Sequence, residues 1–107
     1  MIIARVTGLV VATQKNQRLH GQKLFMVEPL NLQDDASSKA AHKLVPTGKT
    51  IVALDTVGCG QGQVVLIVQG SSGRMTDATK DLPADAVIVG IVDTASMAGH
   101  TVYATPE

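Results

Sequence analysis

Two runs of residues constrain this chain more than anything else in it. Val64-Val65-Leu66-Ile67-Val68 and Ala86-Val87-Ile88-Val89-Gly90-Ile91-Val92 contain no polar side chain. Their length and β-branched content fit strands rather than helices. Successive side chains of a strand point to opposite faces, so a strand with one wet face alternates apolar and polar residues. These two do not alternate, so both of their faces need cover. One face can fill the interior of a small barrel. The other would form a bare apolar patch of the kind that marks an interaction site. The pattern favours identical copies that shield one another; the alternative is that residues 31–49 fold back over the strands.

The rest of the chain also reads mostly as strand. Residues 2–12 are rich in β-branched side chains and enclose Gly8, which predicts a bend or bulge as at a barrel corner. Residues 14–18 are polar and the stretch closes at Gly21. Residues 23–30 predict a second strand, with Pro29 limiting its pairing, so that the two strands make a long hairpin. Residues 31–49 hold Asp34, Asp35, Ser37, Ser38, Pro46 and Gly48 and are the least regular part. A surface loop is the simpler reading; a helix over 36–42 capped by Asp35 is the alternative, with a thin apolar stripe of Ala36, Ala40 and Leu44. Residues 50–57, 63–69 and 86–93 predict three more strands, and 101–104 a short last one. Gly58-Cys59-Gly60-Gln61-Gly62 is a turn. Ser71 or Ser72 can cap a short helix to about Thr79, before Pro83 ends that segment. The expected fold is mainly β, a small closed or nearly closed barrel of five or six strands with one short helix. At 107 residues it is one domain over 1–107.

Charge and aromatic content narrow the function. Lys plus Arg and Asp plus Glu are 9 each, for a formal net charge of +0. That lacks the footprint of a nucleic-acid binder and gives little attraction to anionic membranes. Phe25 and Tyr103 are the only rings, too few for a base-stacking groove. Lys15, Arg18 and Lys23 make only a modest basic hairpin. The single cysteine, Cys59, excludes an internal disulfide or a Cys-rich zinc site and fits a reducing cytosol. The start, Met1-Ile2-Ile3-Ala4-Arg5, has no basic lead and apolar signal region. Both apolar runs fall short of the roughly 20 residues a membrane helix needs. A soluble, cytoplasmic protein is expected, with no nucleic acid and no membrane among its partners.

No residue constellation calls for catalysis. Gly58, Gly60 and Gly62 look like a phosphate-cradling loop, but that device needs a helix N-terminus after the turn. Here Gln63-Val64-Val65-Leu66 follows, which is strand. The glycines more simply supply positive φ or close backbone approach, and can let loops crowd around a symmetry axis. A catalytic Cys59 would need a base and a lowered pKa, yet His20, His42 and His100 are scattered. Asp34-Asp35 lacks calcium-loop partners, and Pro83 breaks the spacing of Asp77, Asp81 and Asp85. No catalytic, metal or cofactor residue is expected. A Cys59-dependent enzyme and a small barrel for single-stranded nucleic acid stay as alternatives.

Four segments together resemble the pentameric vertex proteins of bacterial microcompartment shells, from carboxysomes and from ethanolamine- and propanediol-utilising compartments. The opening is Ile2-Ile3-Ala4-Arg5-Val6-Thr7-Gly8-Leu9-Val10-Val11-Ala12-Thr13 with Leu19-His20-Gly21-Gln22-Lys23-Leu24. The centre is Val52-Ala53-Leu54-Asp55-Thr56-Val57-Gly58-Cys59-Gly60-Gln61-Gly62-Gln63-Val64-Val65-Leu66. Gly70-Ser71-Ser72-Gly73-Arg74 and Pro83-Ala84-Asp85-Ala86-Val87-Ile88-Val89-Gly90-Ile91-Val92-Asp93 follow in order. Family members usually carry alanine where this chain has Cys59 and Gly73, and glutamate where it has Gln63.

The resemblance implies an oligonucleotide-binding-like β-barrel, a homopentamer, and a structural place at shell vertices beside hexameric and trimeric shell proteins. It implies no catalysis. On this reading Gly58, Cys59, Gly60, Gln61 and Gly62 lie near the five-fold axis, with five Cys59 side chains facing one another. Arg74, Val65, Ile67, Ile88 and Ile91 are the expected subunit-interface residues.

Overall fold

A computed structural model describes residues 1–12, 21–34, 42–70 and 85–105. Among them the strands are β1 (Ile2–Val10), β2 (Lys23–Asp34), β3 (His42–Pro46), β4 (Ile51–Asp55), β5 (Val64–Gln69), β6 (Ala86–Ile91), β7 (Thr94–Met97) and β8 (His100–Ala104). Strands pair in the order β1-β5-β6-β4-β2, and β2 pairs again with β1, so five strands close into a barrel. β3 attaches to β2 outside that circuit, and β7 with β8 forms a separate two-stranded sheet. The β4–β6 join is parallel and has two rungs, Leu54↔Val87 and Asp55↔Ile88; the other barrel joins are antiparallel.

Register decides which side chains fill the interior. Ala4 lies opposite Val65, Val6 opposite Val27, Phe25 opposite Ala53, and Ile67 opposite Ile88. All eight are buried in one cluster, joined by Cys59 and Ala86. The cluster is built on aliphatic side chains and one ring, as the composition requires. The expected irregularity at Gly8 is present: the β1–β2 register shifts between Val6 and Gly8. A Cβ at Gly8 would come within 2.6 Å of the Met26 Cε atom, so the missing side chain lets β1 pass close to Met26.

Two expectations need correction. β2 does not end near Pro29 but continues to Asp34. Proline lacks only a donor, and the Pro29 carbonyl still accepts from the Thr47 amide at 3.2 Å and the Thr47 hydroxyl at 2.8 Å. Nor is 31–49 simply a surface loop: β3 pairs along the far half of β2, with Leu32 opposite Leu44. β3 therefore extends β2 instead of folding back across β5 and β6, and it packs against β8. The alternative helix over 36–42 falls largely outside the described residues, and His42 itself opens β3.

The C-terminal hairpin adds β7, which sequence pattern does not signal. Its turn uses Ala98 at φ 53° and Gly99 at φ 79°, the two left-handed residues that a tight hairpin of matching twist requires. Among the described residues there is no α-helix; the helix expected from Ser71 or Ser72 to about Thr79 lies outside them. No described helix is long and apolar enough to cross a membrane.

Candidate functional site

The turn after β4 is built by one carboxylate. Asp55 is 9% exposed. Its Oδ1 accepts the Val57 amide at 3.0 Å, the Gly58 amide at 3.1 Å and the Cys59 amide at 3.5 Å, and its Oδ2 takes Gly58 at 3.2 Å. A side-chain acceptor reaching amides two to four residues ahead folds the backbone locally. Gly58 at φ 79° supplies the left-handed step. At the other end Gln63 Oε1 accepts the Gly60 amide at 2.7 Å. Gly62, at φ 88°, donates to the Val6 carbonyl at 2.8 Å, and Val6 donates back to Gln63 at 2.9 Å. The turn is thus tied at both ends and pinned to β1. Asp55 was not among the expected site residues. An aspartate three residues ahead of a turn glycine was the available signal.

Each expected turn residue is placed. Gly58, Gln61 and Gly62 are exposed and Gly60 is half-buried. Cys59 is 7% exposed and belongs to the interior cluster. Its thiol therefore packs into its own barrel rather than projecting from the turn.

Burial pushes the Cys59 thiol up from 9.0 to about 11, and the nearby Asp55 charge adds to the rise. A thiol held protonated at neutral pH is a poor nucleophile, which weighs against a Cys59-dependent enzyme. A folded-state pKa above the unfolded one contributes stability below pH 9 that is lost as pH rises through about 11. Urea melts at pH 7.5 and pH 10 should show wild type losing more stability than Cys59→Ala, since all other titrating groups are common to both. An equal loss in the two proteins would contradict this account.

The proposed interface residues divide. Val65, Ile67 and Ile88 are each 0% exposed and lie in the interior cluster. A side chain with no surface in its own chain has none to give a neighbour, so these three are core residues. Ile91 is 39% exposed and is available. Arg74 lies outside the described residues.

The outer faces are partly covered already. Alternation places Val64, Leu54 and Val87 on the side away from the interior cluster, yet they are at most 1% exposed. Val64 meets the C-terminal segment: Val64, Ile91, Val92, Tyr103 and Thr105 share the lining of a cavity of about 100 Å³. Arg5 ties that segment to the glycine turn. Its Nη1 donates to the Gly62 carbonyl at 2.7 Å, and its guanidinium lies 6.0 Å from the Tyr103 ring centre. Apolar side chains that stay exposed on the barrel strands include Leu9, Met26, Val52 and Ile91, and of these Met26 at 37% and Val52 at 50% lie opposite one another on β2 and β4.

A family model described as ethanolamine utilisation protein EutN/carboxysome matches residues 1–93. The chain belongs to this family. It is similar to the bacterial microcompartment shell vertex protein GrpN of Rhodospirillum rubrum, 40% identical over 94 residues, or 88% of this chain and 94% of that one. The solved GrpN structure, described as a pentameric microcompartment shell protein, matches with TM-score 0.74 over 91% of this chain and 99% of that one. The structure of Gloeobacter violaceus CcmL matches with TM-score 0.79 and 33% identity over 97% of each chain. Within the EutN/carboxysome family, the matched segment ends at Asp93, so the β7–β8 hairpin lies beyond it.

Proposed function

We propose that this protein is a structural unit of a polyhedral microcompartment shell, five copies forming a ring that occupies a vertex. The observation that carries the reading is likeness over nearly the whole chain to proteins named shell vertex proteins, one of them described as pentameric. The mechanism is geometric. A flat sheet of hexagonal tiles cannot close, and five-fold units supply the curvature that turns sheet into container. Its neighbours are then hexameric and trimeric shell proteins, and its place is the shell within the cytoplasm.

The ring does no chemistry in this reading, which the protonated, core-packed Cys59 supports. The exposed Gly58, Gln61 and Gly62 are the part of the turn suited to approach the five-fold axis, Gly60 standing between them half-buried. Light scattering on the purified protein should give five times 11.1 kDa, about 55 kDa. A stable, folded species of one subunit at high concentration would refute it, and salt-dependent binding to single-stranded nucleic acid would point to the rival barrel function.

A further inference from the structure

β2 is longer than the barrel it helps to build. Twelve residues at about 3.3 Å each give roughly 40 Å, while the chain measures 51 × 25 × 25 Å. Pairing to β4 ends at Val27 and pairing to β1 at Pro29. From Leu30 onward the one partner of β2 among the described residues is β3, so the two strands leave the barrel as an arm.

The arm has an apolar face. The rungs Leu30↔Pro46 and Leu32↔Leu44 put four apolar residues on one side, while Asn31, Gln33 and Lys43 lie on the other with Val45. A two-stranded ribbon is marginal in water unless such a face packs on something. β8 packs against β3, yet Leu32 remains 39% exposed and Pro46 is exposed.

A closed ring needs two different, complementary patches on every chain, because each subunit meets its neighbours head to tail. The Met26–Val52 pair is a second apolar patch, on the outer face of the barrel. We infer that the arm of one copy seats its Leu30, Leu32, Leu44 and Pro46 face on the Met26–Val52 pair of the next copy around the ring. The inference rests on the ring reading above.

Full-length variants test it by mass. Leu32→Asp and Met26→Glu each spoil one of the two patches and leave the interior cluster intact. Each alone should fall five-fold in mass, to a single folded subunit by circular dichroism. Mixed in equal amounts they retain one good arm and one good seat, and should form a two-subunit species without closing a ring. If Leu32→Asp fails to fold, Leu32→Ser replaces it, with ring dissociation expected at ten-fold or higher protein concentration than wild type. Wild-type mass for the arm variant, unchanged dissociation for Leu32→Ser, or a mixture that stays at one subunit would each overturn the inference. A wild type that is itself a single subunit would refute the ring instead.

Discussion

Asp55→Ala should lower stability by about 3 kcal/mol, the largest single-residue loss outside the aliphatic core. Three amides, those of Val57, Gly58 and Cys59, converge on this one carboxylate. A hydrogen bond to a charged group is worth about 1.5–3 kcal/mol, and the Cys59 amide, the buried one of the three, costs about 1–3 kcal/mol if left without a partner. The three bonds share one acceptor, so their contributions do not add in full. At about 4–8 °C per kcal/mol for a domain near this size, the melting midpoint should drop by about 12–24 °C. Asp55→Asn keeps one acceptor oxygen on the same stem and should recover roughly half of the loss. Thermal melts of the two variants check both values. A fall below about 1 kcal/mol in Asp55→Ala would mean that the turn folds without its carboxylate.

Ile67→Ala should cost about 3–4 kcal/mol, whereas Ile91→Ala should cost under about 1 kcal/mol in the same urea melt. Ile67 is 0% exposed and lies opposite Ile2 and Ile88 in the ladder, so truncation leaves a cavity that close-packed neighbours cannot fill. Ile91 is 39% exposed and its removal leaves little void. The contrast separates a residue that holds the barrel together from one available to a neighbour. Similar losses at the two positions would show that burial within one chain misassigns their roles.

The barrel strands were legible because their signals are local. Alternating burial in β1, the bulge at Gly8 and the two apolar runs each sit within a few residues of chain. What the sequence could not supply was which face of β5 and β6 turns inward. When both faces are apolar, a shift of one residue changes nothing in the pattern, yet it exchanges interior for exterior. The sequence alone therefore leaves Val65, Ile67 and Ile88 free to face either way, and register turns them in. β3 was hidden for another reason: His42-Lys43-Leu44-Val45-Pro46 is short and ends in proline, and its partner lies on the far half of β2. Its strand character is conferred by that distant ladder rather than by its own composition. Within the glycine turn, the left-handed steps at Gly58 and Gly62 are legible in the sequence, while the role of Asp55 emerges only once the turn's amides are paired with their acceptors.

The two-rung join between β4 and β6 has a consequence for synthesis. Thr56 reinforces it, donating its amide at 3.3 Å and its hydroxyl at 2.7 Å to the Ile88 carbonyl. Among the described strands β6 is the one that joins β5 to β4, so a nascent chain emerging from the ribosome can pair β1 with β2 early but cannot complete this circle until residue 88 is free. Until then the aliphatic lining meets solvent, and partly made chains are the form most exposed to aggregation.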